Sequence, residues 1–194
     1  MRRMVWIFVL PSAGLFAQAY RYNVDPAHTS ITFNVRHMMV TTVRGTFDKF
    51  EGWIEYDPKN PQNTKAEGIV YVNSINTNNE KRDGHLKSSD FFDAEKYPTM
   101  KMVLRKVYKK GDKWWADADL TIKDVTKKIS FPFEIYGPVK DNWGNYRIGV
   151  EASFEINRFD FGLNWNQVLE TGGVVVDKTV KVELNIEAIY KPSS

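Results

Sequence analysis

Strict alternation of apolar and polar residues is the feature that most limits what this chain can fold into. In Val180 to Tyr190, Val180, Val182, Leu184, Ile186 and Ala188 fall on one side, and Lys181, Glu183, Asn185 and Glu187 on the other. Ile148, Val150, Ala152, Phe154 and Ile156 alternate with Arg147, Gly149, Glu151, Ser153 and Glu155. The same rhythm runs through Ile129, Phe131, Phe133 and Ile135, and through Ile31, Phe33, Val35 and His37. Successive side chains of a strand point to opposite faces, so these segments read as strands of a sheet with one dry face and one wet face.

Extended along the chain, the pattern predicts eight strands, at about 30–38, 43–56, 66–76, 99–108, 113–122, 128–136, 146–157 and 178–190. Short turn signals separate most of them, among them Asp57-Pro58 and Lys110-Gly111-Asp112. Eight sequential strands, each with one apolar face, close most naturally into an antiparallel barrel. Gly52 is expected to bend the long second strand, and Pro132 to leave a bulge or an unpaired stretch in the sixth. Two long links break the rhythm, Thr77 to Pro98 and Arg158 to Asp177; links of that length are often functional. The first should hold a short helix over Asn79 to Lys87 and is the expected gate of any cavity. The second, with Phe159-Asp160-Phe161-Gly162-Leu163-Asn164-Trp165, is too aromatic for a wet loop and should pack over one barrel end.

The chain has 194 residues and a net charge of +3. Its start is basic (Arg2, Arg3), then apolar from Val5 to Phe16, then Ala17-Gln18-Ala19. That order is the signature of a secretory signal peptide, so residues 1–19 are read as a leader cleaved after Ala19, and 20–194 as one exported domain, periplasmic or secreted. The apolar run contains Pro11 and is shorter than the ~20 residues that span a bilayer, and no other segment is long enough. Without Arg2 and Arg3 the chain is nearly neutral, so nucleic acid is a poor partner. There is no cysteine, which excludes disulfides, thiolate catalysis and zinc-thiolate sites. A homodimer stays open.

His28, His37 and His85 fall on different elements without metal-ligand spacing, so no metal or cofactor is expected. Arg82-Asp83-x-His85 reads in three ways: a catalytic cluster, a grip on a polar head group through the planar guanidinium fork, or a local lock on the helix. Asn157-Arg158-x-Asp160 could meet a ligand head at the barrel rim or tie the long loop to the strand end. The aromatics Phe33, Phe47, Phe131, Phe133, Phe154, Phe161 and Trp165 could fill a solid core or line a cavity; an eight-stranded barrel allows both.

The chain resembles the YceI-like family of exported, lipocalin-like, polyisoprenoid-binding barrels. Five blocks carry the resemblance, in family order over residues 22–188. They are Tyr22 to Ile31 (with Asp25-Pro26-Ala27-His28-Thr29); Arg44-Gly45-Thr46-Phe47 with Phe50-Glu51-Gly52; and Ile75 to Asn79, continuing through Arg82-Asp83-Gly84-His85-Leu86 and Asp90-Phe91-Phe92-Asp93 to Lys96-Tyr97-Pro98-Thr99. The last two are Asp119 to Lys123 with Val125-Thr126-Lys127, and Ile156-Asn157-Arg158 with Asp160-Phe161-Gly162-Leu163 and Glu170-Thr171-Gly172-Gly173. The chain departs from the family at Ala118 and Asp124, where Gly is usual; both are expected at a turn, away from any ligand. The resemblance implies an all-β, eight-stranded antiparallel lipocalin-like barrel, with a short helix in the 77–98 connection, enclosing an amphiphilic isoprenoid lipid of polyprenyl or quinone type. The implied role is carriage or storage without catalysis. An enzyme acting on a lipid or quinone, and a protein-binding scaffold, are the alternatives. On that reading Phe33, Val35, Phe47, Phe91, Phe92, Phe131, Phe133, Phe154, Phe161 and Trp165 line the cavity, and Arg82, Asp83, His85 and Arg158 form its polar mouth.

Overall fold

The computed structural model describes residues 19–168 and 173–192. The expected leader, except Ala19, and Glu170-Thr171-Gly172 lie outside the described residues. The elements are β1 (Tyr20–Val24), β2 (Ser30–His37), β3 (Thr41–Phe47), β4 (Phe50–Tyr56), β5 (Lys65–Tyr71), β6 (Ile75–Asn76), α1 (Glu80–Lys87), β7 (Thr99–Lys110), β8 (Lys113–Ile122), β9 (Val125–Lys140), β10 (Tyr146–Asn157) and β11 (Val176–Tyr190).

All described strand pairings are antiparallel. β5, β7, β8, β9, β10 and β11 follow one another around the sheet. The free edge of β11 then takes two partners. Its first part pairs with β2 (Leu184 opposite Ile31) and its last part with β1 (Ala188 opposite Val24). β1 pairs with β4, β2 with β3, β4 with β5 and β3 with β6, which closes the ring. The eleven segments therefore occupy eight barrel positions, because β1/β2, β3/β4 and β5/β6 are each one strand broken by a corner.

The corners are held by polar side chains that replace lost ladder bonds. At the first, Asp25 accepts from the Ala27 amide and Thr29 Oγ1 donates to the Glu187 carbonyl. At the second, Asp48 accepts from Thr46 Oγ1 at 2.6 Å and Asn76 Nδ2 at 3.0 Å. This corrects the expectation for Gly52: the long strand breaks at Asp48-Lys49, and Gly52 sits inside β4 opposite Gly68. A Cβ on Gly52 would lie 2.7 Å from the Glu67 carbonyl oxygen, so glycine is needed there for close approach of two backbones. Pro132 falls where pairing between β9 and β10 stops, at Phe133 opposite Ala152. α1 begins as expected, with Asn79 Oδ1 accepting from the Arg82 amide as N-cap.

Each barrel end has its own closure. At one end Tyr22, Ile54, Tyr56, Ile148 and Ala188 form a buried cluster, with Tyr146 and Tyr190 against it. Burial among these phenols pushes the Tyr22 pKa up to about 12. An ion network caps this end: Arg147 bonds Asp141 at 2.8 Å, bonds Glu187 and lies 3.5 Å from Asp25, which in turn meets His28 at 2.8 Å. The other end is closed by Phe91, Leu120, Ile122, Phe161 and Leu163, with α1 contributing Leu86. The long second link folds over this end as expected, beginning as a 3-10 turn, Arg158–Phe161.

Arg158 holds that link in place. It is 3% exposed, and its guanidinium donates to four backbone carbonyls: Asp177 at 2.8 Å, Val176 at 3.0 Å, Trp165 at 2.9 Å, and Leu163. Burial lowers its pKa, partly countered by the Asp177 charge. Arg158→Ala would strand several of these carbonyls away from water and is expected to cost about 3 kcal/mol in urea unfolding. Arg158→Lys should recover little, since an ammonium cannot reproduce the fork.

The capping network should show itself in acid. Burial pushes the Asp141 carboxyl up, but bonds from Arg147, Asn145 and the Trp143 and Asn145 amides outweigh it and hold the pKa at about 2. A depressed carboxylate stabilises the fold above its unfolded pKa of roughly 3.9 and loses that contribution as pH falls through its folded value. The stability advantage of the natural protein over Asp141→Asn should therefore shrink between about pH 4 and pH 2, as read by thermal unfolding at stepped pH.

Candidate functional site

Inside the barrel lies a cavity of about 280 Å³, near the lower bound of roughly 300 Å³ for small-molecule pockets. It exists because bulky and small inward residues share the wall. On β5 and β8 the inward positions include Ala66, Gly68, Ala116 and Ala118, and on β10 Ala152. These leave room that the facing aromatics do not fill, so inward residues such as Phe33, Val35, Val182 and Leu184 stay only half-buried. Ala118 is thereby a correction: it faces the cavity from within β8, 1% exposed, and is not at a turn. Asp124 does sit in a turn, where it accepts from the Tyr97 hydroxyl.

Eight of the ten apolar residues singled out from the sequence lie on the cavity wall: Phe33, Val35, Phe47, Phe91, Phe92, Phe131, Phe133 and Phe154. Phe131 and Phe154 stack at 4.6 Å where the β9–β10 ladder has ended. Phe33, Phe47 and Phe92 form a chain at 5.6 and 6.0 Å. Phe33 lies over Gly45, where a Cβ would come within 2.3 Å of the ring; the glycine of Arg44-Gly45-Thr46-Phe47 makes space for that side chain. Phe161 and Trp165 are placed differently. They belong to the cluster that closes the helix end, and Trp165 packs edge-on against His85 at 4.8 Å and beside Phe91 at 5.3 Å.

The polar candidates do not assemble into one mouth. Arg82 and Asp83 turn onto Thr77, a buried residue whose amide and hydroxyl need partners. Arg82 donates to the Thr77 hydroxyl and carbonyl, both at 2.7 Å, while Asp83 accepts from the Thr77 amide at 2.9 Å and hydroxyl at 2.5 Å. His85 bonds Asp90 at 2.9 Å and ties the end of α1 to the following turn. Of the four, only Arg158 borders the cavity, and the carbonyls described above occupy its fork. The wall is also aliphatic, with Met102, Leu120, Val150 and Val180 beside the aromatics. For Val150 and Val180 the inward phase follows from the alternation itself.

A shallow outer groove between β9 and β10, with Trp114, Glu134, Tyr136 and Glu151 on its sides, shares Phe133, Ala152 and Leu184 with the cavity. Phe133 thus borders both the cavity and the outer groove. Among the described residues, Asp25, His28 and Glu187 bring three ligand atoms within 4.8 Å of one another. Arg147 already reaches both carboxylates, which makes this cluster an ion-pair network. The cavity itself offers apolar burial with almost no polar contact, a chemistry suited to a hydrocarbon chain.

The YceI-like domain model matches residues 22–188. A UPF0312 protein of Staphylococcus aureus (strain MSSA476) is 39% identical over 167 residues, covering 86% of this chain and 95% of that protein. The crystal structure of the Campylobacter jejuni YceI protein superposes with a TM-score of 0.69 at 28% identity, covering 81% of this chain and 90% of the other. A polyisoprenoid binding domain from Saccharophagus degradans shares the fold, with a TM-score of 0.67 at 17% identity, covering 88% and 98%. The chain belongs to the YceI-like domain family.

Proposed function

We propose that this protein is exported and holds the apolar tail of an isoprenoid lipid, of polyprenyl or quinone type, inside its barrel, serving in carriage or storage. The observation that carries the reading is the cavity: a closed barrel whose inward wall is almost wholly hydrocarbon yet leaves space unfilled. The polyisoprenoid binding domain that shares the fold supports the ligand class. Each buried methylene-sized unit of a tail contributes about 0.8 kcal/mol, so a tail needs no charged anchor to be retained, although ordering it offsets part of the gain. We read the site as non-catalytic because the charged groups at its border are committed elsewhere, Arg158 to backbone carbonyls and Lys101 to Glu67 at 2.9 Å.

The direct test is organic extraction of protein purified without detergent, followed by lipid mass spectrometry. An isoprenoid lipid should be recovered in proportion to protein. Ala118→Leu fills space beside the aromatics and should lower the recovered lipid about tenfold while costing about 1–3 kcal/mol for overpacking. Phe133→Asp places a charge on the wall; because the outer groove lies beside it, the carboxylate has a route to water, so lipid should be lost while the barrel persists by circular dichroism. Recovery of no isoprenoid from the natural protein, or undiminished recovery from both folded variants, would overturn the reading.

A further inference from the structure

We infer that the helix end of the barrel is a docking surface for an anionic lipid bilayer, built from the exposed turn between β2 and β3, the apolar residues beside it and a set of cations below them. The turn comes first. Its central residues, Met38 and Met39, both have positive φ, 48° and 61°. That is the φ signature of a type I′ turn, for which Asn-Gly is strongly preferred; bulky side chains there are uncommon. Neither methionine gains burial in exchange: Met38 is 44% exposed, Met39 56% and the following Val40 78%. A strained turn that presents three large apolar side chains to water has no account in the stability of the barrel, and strain of this kind marks functional positions.

Further apolar residues lie beside it. Val168, 79% exposed, bridges to Val174, and the Met38 amide donates to the Val175 carbonyl at 2.8 Å, tying that segment to the turn. Phe159 is exposed at the same barrel end. The apolar lip continues inward, since His37 pairs with Val176, and both Val35 and Val176 line the cavity. Three cations stand on the outer wall below the lip. Arg36, Arg44 and Lys178 are exposed, and among the described residues none has a carboxylate within 4.0 Å. Arg36 also donates to the Met39 carbonyl at 3.0 Å, bracing the turn from below.

An apolar lip above a set of cations matches the boundary between acyl chains and anionic head groups, where apolar side chains sink and Lys and Arg meet the surface charge. Trp143, 80% exposed at the opposite end, does not share this setting. It belongs to a turn held by Asp141, at the end that carries the tyrosine closure and the acidic residues Asp25 and Glu187. The inference rests on the isoprenoid reading only for what would be exchanged at the surface: a tail leaving the bilayer beside Val35 and Val176 would enter the cavity without crossing water.

Co-sedimentation with phosphatidylcholine vesicles, with and without phosphatidylglycerol, tests it on the full chain with no isoprenoid added. The natural protein should pellet with the anionic vesicles and be released by salt. Met38→Asn combined with Met39→Gly supplies the residues a type I′ turn prefers, so this variant should melt higher than the natural protein yet bind vesicles at least about tenfold more weakly. Arg36→Gln with Arg44→Gln should weaken binding and flatten its salt dependence, and Trp143→Ser should leave it unchanged. The inference is overturned if the natural protein fails to pellet with anionic vesicles, if the stabilised turn variant pellets as well as the natural protein, or if the turn variant instead converts a dimer to a monomer in sedimentation equilibrium. Vesicle binding that follows the expected pattern while no isoprenoid is recovered on extraction supports the surface and counts against the cargo reading alone.

Discussion

The last strand carries the architecture. β11 spans 15 residues, long enough to pair with β10 along one edge and with both β2 and β1 along the other. That double engagement turns an open meander into a ring and removes the exposed edges that such a sheet would otherwise present. It also fixes phase. Once Val180, Val182, Leu184 and Ile186 face inward, each neighbouring strand must place its own apolar alternate positions inward, because a shift of one residue would turn a whole set of side chains into water.

Closing a ring of eight strands encloses a volume that side chains can fill or leave open. Here the small residues Ala66, Gly68, Ala116, Ala118 and Ala152 decide for an open interior. The two ends are then sealed by different means. Buried tyrosines under an ion network close one, and a folded-over link pinned by Arg158 closes the other. The cavity owes its apolar character to these closures as much as to its walls, since both keep polar groups engaged with protein partners outside the barrel axis.

Most polar motifs that stand out in the sequence prove to be fasteners. Asp25 and Thr29 hold the first corner, Asp48 the second, Arg82 and Asp83 lock onto Thr77, and Arg158 gathers four carbonyls from the link it begins. The pattern has one physical cause. A strand that bends or a loop that covers a barrel end loses ladder partners for its backbone, and buried backbone groups must be satisfied by nearby side chains. The Met38-Met39 turn is the exception, because there the side chains work against the local geometry and face outward.

Period-two alternation by itself determined the strand class, the number of barrel positions and the inward phase of residues such as Phe133, Phe154 and Val182, because side-chain direction along a strand is a local property of the backbone. It also marked both long links as irregular. Tertiary structure alone decided the rest. Whether Phe161 and Trp165 lined the cavity or sealed its end, whether Arg82, Asp83 and Arg158 faced a ligand or other groups of the protein, and whether Ala118 mattered all depended on how the chain packs. The site of the second corner depended on them too, since Asp48 is held there in part by Asn76. Alternation states which way a side chain points. What it meets there is set by the closing of the ring, which brings β11 against β1 and the link after β10 against the mouth it covers.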